Sequence, residues 1–351
     1  MADSQSSQEI QIPEIVAAAI DSHVSLQAYA NYLANRIDTL LIEADQQLNA
    51  RLQTALMSNP IESFSVQRLT QLIQSVANVE QFYTPAYNDL LSGLNDEADV
   101  VVWADDLLLS AAADEYGAVF NTITPQAVYT AATTAPFDGA PLGEWWDRLE
   151  QAQQNRINDT VRSGWLSGDS PQQIASSLIE EGVLSGNNPK VDTAARRQAK
   201  TVARTAVNIL ANTSHKQIIE ANSDWLSGQE WVATLDIRTC LICGANDHII
   251  FAVGTDVLCP AHFNCRCVLV AVTPNMLALR QKLDLTRASM NGQVSASWNY
   301  GDWLRTRSRE RVEQILGAQR AALFLSGKSD IKNFVDNGRV LTLQELKAEL
   351  S

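Results

Sequence analysis

Five cysteines, Cys240, Cys243, Cys259, Cys265 and Cys267, fall in one 28-residue window and nowhere else in the 351-residue chain. Two form Cys240-x-x-Cys243, and after 18 intervening residues comes His262-x-x-Cys265-Arg266-Cys267. Thiols three positions apart can wrap one ion from a tight turn. A second pair at a strand end then completes a tetrahedron, with sulfur at about 2.3 Å and imidazole nitrogen at about 2.0 Å. Soft sulfur donors select zinc over magnesium or calcium. The expected ligands are Cys240, Cys243 and His262, with either Cys265 or Cys267 as the fourth, and Cys259 is a bystander. Two other readings stay open: a reduced or partly disulfide-linked thiol cluster without metal, and a catalytic metal. Cysteines confined to one local cluster suit a reducing cytosol with a metal site better than a disulfide framework.

Catalytic readings lack partners. A zinc deaminase needs a Glu two residues after its histidine ligand, but Ile249-Ile250 follow His248 and Phe263-Asn264 follow His262. Asp247-His248 beside a CxxC hints at an HNH-like nuclease, whose further Asn and His do not occur at suitable spacing, since Asn264 falls inside the ligand cluster. Pairing Cys259 with His262 as a cysteine protease has no orienting group. Phosphate-binding glycine loops and HExxH helices are absent from the sequence.

The block Trp231-Val232, Asp236-x-Arg238-Thr239-Cys240-x-x-Cys243 and His262-Phe263-Asn264-Cys265-Arg266-Cys267, running into an apolar strand, resembles the Mu F-like minor head proteins of the phage head morphogenesis family. Gly168-Asp169-Ser170-Pro171-Gln172-Gln173-Ile174-Ala175 and Ala203-Arg204-Thr205 are similar to the family's helical lead-in. Tyr300-Gly301-Asp302-Trp303-Leu304, Ile315-Leu316-Gly317 and Leu341 to Leu346 resemble the tail that often follows. The likeness covers about residues 150 to 350. It departs at Ala206, where the family commonly has an acid, and it leaves residues 1–140 without a counterpart. The resemblance implies a minor structural component of a tailed-phage virion, not an enzyme. It also implies assembly in the host cytoplasm at or near the portal, with the portal and/or major capsid protein as partners. The runner-up is a metal-dependent nucleic-acid-binding protein or HNH-like nuclease using the same cluster. That reading asks for cations beside the metal, whereas residues 229–274 carry Arg238 and Arg266 against Glu230, Asp236, Asp247 and Asp256.

The elements that must hold this block are mostly helical. The composition, 46% apolar and 19% charged, is globular, no apolar run is long enough for a membrane span, and the polar start with Asp3 and Glu9 does not read as a secretory leader. The net charge of −14 is uneven: residues 1–140 hold 3 Lys+Arg against 18 Asp+Glu. Such a front repels DNA or docks on a basic partner when it is not simply solvated. Contact with packaged DNA is therefore expected to be weak.

Apolar spacing from Leu26 through Leu33, Ile37, Leu41 and Leu48 to Leu56 predicts a long helix over 24–58, stopped by Asn59-Pro60. A second pattern over Val66, Leu69, Ile73, Val76 and Val79 is expected to end before Pro85. A more buried helix is expected over 98–118. Residues 121–143 read as a linker. Helices follow over 144–166, from the Ser170-Pro171-Gln172-Gln173 capping signal to Gly182, and over 191–221. On the last, Arg196, Arg197, Lys200 and Arg204 form either a solvated face or an anion or partner contact. Strands are expected at 231–235, 249–253 and 267–272, and helical segments at 308–325, 331–335 and 343–350. Arg305, Arg307, Arg309 and Arg311 form either the best local anion face or a solvated helix surface with Glu310 and Glu313 as intrahelical partners. The expected fold is mainly α with a small zinc-stapled β subdomain, an α+β arrangement with an elongated helical N-terminal region. Its expected parts are an acidic helical assembly region at 1–140, a helical lead-in at 141–228, a β zinc-knuckle unit at 229–274 and a C-terminal helical region at 275–351.

Overall fold

In the computed structural model the apolar stripe of the first helix is buried along its length: Leu26, Leu33, Ile37, Leu41, Leu48, Leu52 and Leu56 are nearly or fully inaccessible. The structure describes residues 12–57, 69–70, 73–74, 78–186, 188, 190–273, 286–336 and 338–349, with side chains from 22 onward. The expected stop at Asn59-Pro60 and part of the pattern at 66–76 lie outside them. The chain is mainly α with small antiparallel sheets, an α+β fold. The helices are α1 (Ile12–Met57), α2 (Val79–Tyr116), α3 (Pro125–Thr134), α4 (Leu142–Ser167), α5 (Pro171–Glu180) and α6 (Ala194–Ala221). Then come β1 (Gly228–Val232), α7 (Leu241–Asn246), β2 (Ile250–Phe251), β3 (Val268–Val272) and the hairpin β4 (Thr286–Ser289) and β5 (Gly292–Ser295). Short helices α8 (Tyr300–Arg305), α9 (Arg309–Leu316) and α10 (Ala318–Leu325) follow, then a 3₁₀ turn at Ile331–Phe334, β6 (Val335–Asp336), β7 (Arg339–Val340) and α11 (Leu343–Glu349). No helix of the described residues is long and apolar enough to cross a membrane.

Two compact units divide the chain. One takes in the segments Met1–Gln27, Ala98–Val128 and Asn208–Ser351, and the other Ala28–Glu97 and Tyr129–Val207. Helices α1, α2 and α6 each supply residues to both.

Several expectations are corrected. Pro85 does not end a helix but lies inside α2, near its start. The lost N–H there removes one bond near the helix end, and the Thr84 hydroxyl donates to the Glu80 carbonyl (2.8 Å) in the same turn. The linker reading of 121–143 misses α3, whose Thr124 Oγ1 accepts from Ala127 N (3.3 Å) ahead of a proline at the first helical position. The 98–118 segment is buried on one side only: Val101, Val102, Ala112 and Ala113 are in the core, whereas Val100, Trp103 and Leu107 are exposed. The 308–325 helix is broken at Gly317, whose φ of 76° and ψ of 153° end α9 and start α10. A hairpin over 286–295 was not expected at all.

The unit containing Ala28–Glu97 and Tyr129–Val207 has a core of α1 leucines, Tyr83, Leu90 and Leu94 of α2, Trp146, Leu149 and Ile157 of α4, and Ile174 and Leu178 of α5. The Ser170–Gln173 capping box is formed in both directions. The cation face of α6 is neither solvated nor open to an external anion at Arg196. That side chain is buried and meets Asp38 in two bonds of 2.8 Å, from Nε and Nη2. Lys200 reaches Asp192 (2.9 Å), and Arg204 reaches Asn31 (3.0 Å).

In the same unit Glu97 is 6% exposed, and burial pushes its carboxyl from 4.5 up to about 7. The folded state thus binds a proton that the unfolded chain releases, so stability falls as pH rises from about 4.5 through about 7. Glu97→Gln removes that dependence. Urea denaturation is expected to show the variant gaining on the parent at pH 8 and matching it below about pH 4.5, where the parent carboxyl is protonated in both states. Equal pH profiles for the two proteins would contradict this.

In the other unit, Tyr300, Trp303, Leu304, Val312, Leu316, Phe324, Ile331, Phe334 and Leu346 form one core. The expected arginine face is largely tied down there. Arg305 donates to Phe324 O (2.9 Å) and lies over the Phe324 ring, Arg307 stacks on Trp303 and donates to Thr306 and Asn291, and Arg309 pairs with Glu313.

Candidate metal centre

β1 is the central strand of a β2-β1-β3 sheet, with Trp231 opposite Leu269 and Val232 opposite Val268. Beyond β1 the chain turns through Asp236, which accepts from Arg238 N (2.9 Å) and pairs with Arg266 through both carboxylate oxygens. Burial alone would raise the Asp236 carboxyl, but the Arg266 guanidinium holds it below its ordinary value. That turn delivers Cys240 to the N-cap of α7, where its Sγ accepts from Cys243 N (3.4 Å) in the seat a serine or aspartate oxygen would take. One helical turn brings Cys243 alongside. Gly244 follows because a Cβ there would lie 2.4 Å from the Tyr300 ring. The Tyr300 hydroxyl closes the loop by donating to Asp236 O (3.1 Å).

His262 and Cys265 approach from the other side. Cys265 N donates to His262 O (3.0 Å) across a turn in which Asn264 takes a φ of 58°, a left-handed position asparagine tolerates. Cys265 and Cys267 then alternate along the extended approach to β3, so both thiols point the same way. His262 Nδ1 donates to Phe263 O (2.8 Å), which leaves Nε2 facing Cys240 Sγ at 3.2 Å and Cys243 Sγ at 3.4 Å. Cys243 Sγ lies 3.6 Å from Cys265 Sγ.

Among the described residues, the groups close enough to hold an ion are Cys240, Cys243, His262 and Cys243, Cys265, Cys267, with Cys243 in both. Sulfurs around tetrahedral zinc lie about 3.8 Å apart for metal–sulfur bonds of about 2.3 Å. Each group of three has spacings and soft donors that fit such an ion, but among the described residues the two groups share Cys243 alone and no four of these donors lie mutually within reach. The carbonyl-held imidazole is the usual way of fixing a ligating histidine. Its hydrogen bond with Cys240 pushes His262 up to about 9. Cys259 stands apart, donating to Cys267 O (3.3 Å), its thiol pushed far up by burial.

The supporting shell is the part sequence reasoning missed. Asn208 and Asn212, one turn apart on α6 and almost fully buried, clamp the ligand strand. Asn208 Nδ2 donates to Cys265 O (2.8 Å) and Cys267 O (3.1 Å). Asn212 donates to Cys267 O (3.1 Å) and accepts from Leu269 N (2.9 Å). Two asparagines four apart inside an apolar helix face were the available signal, because buried amides are kept only where they are bonded.

Arg287, on the unexpected hairpin, is the other missed residue. Its guanidinium meets Asp247 Oδ2 (2.9 Å) and Oδ1 (3.2 Å), His248 Nε2 (3.0 Å), and the carbonyls of Ala233 and Trp298. Asp247 also accepts from Ala233 N (2.8 Å), and His248 Nδ1 bonds Glu230. His248 is thereby held through both ring nitrogens, Nε2 also lying 3.1 Å from Trp298 O, and joins neither ion-binding group. The Asp247-His248 pair is thus tied to Glu230, Arg287 and the backbone around Ala233 and Trp298. Elsewhere in this unit Ser214, His215 and Asp105 meet. Ser214 Oγ and His215 Nδ1 both bond the Asp105 carboxylate, at 2.6 and 2.7 Å, so this hydroxyl donates its hydrogen bond to the acid and not to a histidine.

Residues 155–270 match the model of the family described as phage Mu protein F like protein. Over that segment, about a third of the 351 residues, the chain is similar to the Mu F-like head morphogenesis family. The match takes in α5, α6 and every candidate ligand, and it stops within β3, short of the C-terminal segments that resemble the family tail. No curated protein and no solved structure was found to match the chain.

Proposed function

We propose that this protein is a minor structural component of a tailed-phage head, acting at or near the portal during head assembly in the host cytoplasm. The observation that carries the reading is the Mu F-like match over 155–270, with all five candidate ligand residues inside it. In this role one zinc ion, held by Cys240, Cys243, His262 and either Cys265 or Cys267, ties the turn after β1 to the start of β3. The chain works without catalysis. Every donor in the two ion-binding groups is a candidate ligand, and the nearby His248 is held by Glu230 and Arg287. The acidic region at 1–140 supplies the assembly contact, 141–228 the helical lead-in, 229–274 the metal-stapled sheet and 275–351 the C-terminal helices. The portal and/or major capsid protein are the partners, and contact with packaged DNA is weak and salt-sensitive.

Mass spectrometry of purified phage particles, from empty precursors to filled heads, tests this reading. The chain is expected at low copy in at least one of these forms. Infectious particles and precursors that contain none of it would overturn the assignment.

A further inference from the structure

Val100, Trp103 and Leu107 of α2 are 54%, 65% and 38% exposed. Their spacing of three and four puts them on one face of the helix, and Asp99, Asp106 and Asp114 lie on that face too. A tryptophan with apolar neighbours and an acidic rim, standing in solvent, has the make-up of an interface anchor rather than of an ordinary helix surface.

The same unit carries a surface of opposite sign. A cleft of about 260 Å³ beside the β4–β5 hairpin is lined by Ile237, Met290, Asn291, Thr306, Ser308 and the arginines 307 and 311. Ile237 and Met290 are 38% and 51% exposed, Arg238 next to Ile237 is solvent-facing, and no carboxylate lines the cleft. The volume falls below the range of roughly 300–1,000 Å³ usual for small-molecule sites and suits one large side chain.

We propose that a second copy of this chain is the partner, the Trp103 face of one copy seating in the arginine-lined cleft of the next. The indole enters between Ile237 and Met290, and Asp99 and Asp106 meet the Arg307 and Arg311 guanidinium groups. Both surfaces are on one chain, so no other protein is needed to supply the complementary charge. Asp106 gains charge compensation: partial burial with the neighbouring Asp105 charge pushes its carboxyl up, and a guanidinium arriving at its exposed side offsets that. Because the two patches differ, the contact is heterologous and propagates into a ring or an open chain of copies. It is small and charge-rich, so it is weak and salt-sensitive in isolation. This inference stands independently of the zinc site and of the head assignment.

Sedimentation equilibrium of the full-length protein tests it, with circular dichroism as a check on folding. The parent protein is expected to associate reversibly in the micromolar range and to weaken at least about tenfold between roughly 0.05 and 0.5 M salt. Trp103→Asp and the double variant Arg307→Glu/Arg311→Glu are each expected to be monomeric. Mixed together they are expected to form a 1:1 pair and nothing larger, because each retains the surface the other has lost. A parent protein that stays monomeric at high concentration and low salt would overturn the proposal. So would association that Trp103→Asp leaves unchanged, or a mixture that fails to pair. If the parent is monomeric and Trp103→Asp is nevertheless lost from particles, the occupant of the face is another head protein and the second-copy proposal falls.

Discussion

Purified protein is expected to contain about one zinc ion per chain, and Cys243→Ser is expected to abolish it where Cys259→Ala leaves it unchanged. Cys243 is the residue common to both ion-binding groups, with His262 Nε2 3.4 Å away on one side and Cys265 Sγ 3.6 Å away on the other. No rearrangement within the cluster can replace it. Cys265 and Cys267 can substitute for one another as fourth ligand, so single serine variants there are expected to weaken binding without removing it. The free energy involved is large. Structural zinc in small sites is worth about 10–16 kcal/mol in apparent binding, and much of it becomes folding free energy where the unfolded chain has no preformed site. Chelation is therefore expected to release the β1–β3 sheet as well as the ion, seen as loss of amide protection at Trp231 and Leu269. Elemental analysis that finds no zinc in protein made with zinc present, with thiols freely reactive in the folded state, would refute the metal reading.

Arg287→Met is expected to be the most damaging single substitution outside the ligands, costing about 3–5 kcal/mol locally. The side chain is 7% exposed and faces Asp247, itself 6% exposed, with Glu230 at 1% on the far side of His248. Removing the cation leaves a buried carboxylate uncompensated and strips the Ala233 and Trp298 carbonyls of a donor. Pairing it with Asp247→Asn removes the orphaned charge and is expected to return part of the loss, a coupling that a double-mutant cycle measures. The chain has two compact units, so hydrogen exchange resolved by residue is a better measure than one global melting curve. Full protection around Ala233 and Trp298 in Arg287→Met would show that the network contributes little.

Where apolar spacing was unambiguous, the sequence was legible: α4, α5 and α6 lie close to where their periodicity puts them, α1 covers the expected stretch but begins well before it, at Ile12, and β3 follows directly from the Cys267 block. Two signals were present and passed over. Thr124-Pro125 repeats the Ser170-Pro171 arrangement and starts α3, and Asn291-Gly292 is a strong hairpin pair that accompanies the β4–β5 turn. Other features were not readable locally. The exposure of Trp103 beside the burial of Val102 depends on which side of α2 meets the core, and the apolar run from Val100 to Trp103 does not specify a side. Arg287 looks like any strand cation until the fold brings Asp247 to it. The ligand types stand out in the sequence because they are scarce and clustered. The asparagines that hold the ligand strand do not, since their partners are backbone carbonyls, which every residue has.

The interleaving of the two units bears on how the chain is made. One unit needs segments 98–128 and 208–351 together, so on the ribosome its earlier helical portion emerges long before the strands and short helices that cover it. Until Ile218 and Leu226 emerge, Leu109 lacks the buried neighbours it ends beside, and has only Phe120 and Ile123 of its own segment close by. Long-range closure of this kind is slow and leaves nascent chains prone to clumping. The dense acidity of the first 140 residues works against that clumping, because like charges on half-made copies repel.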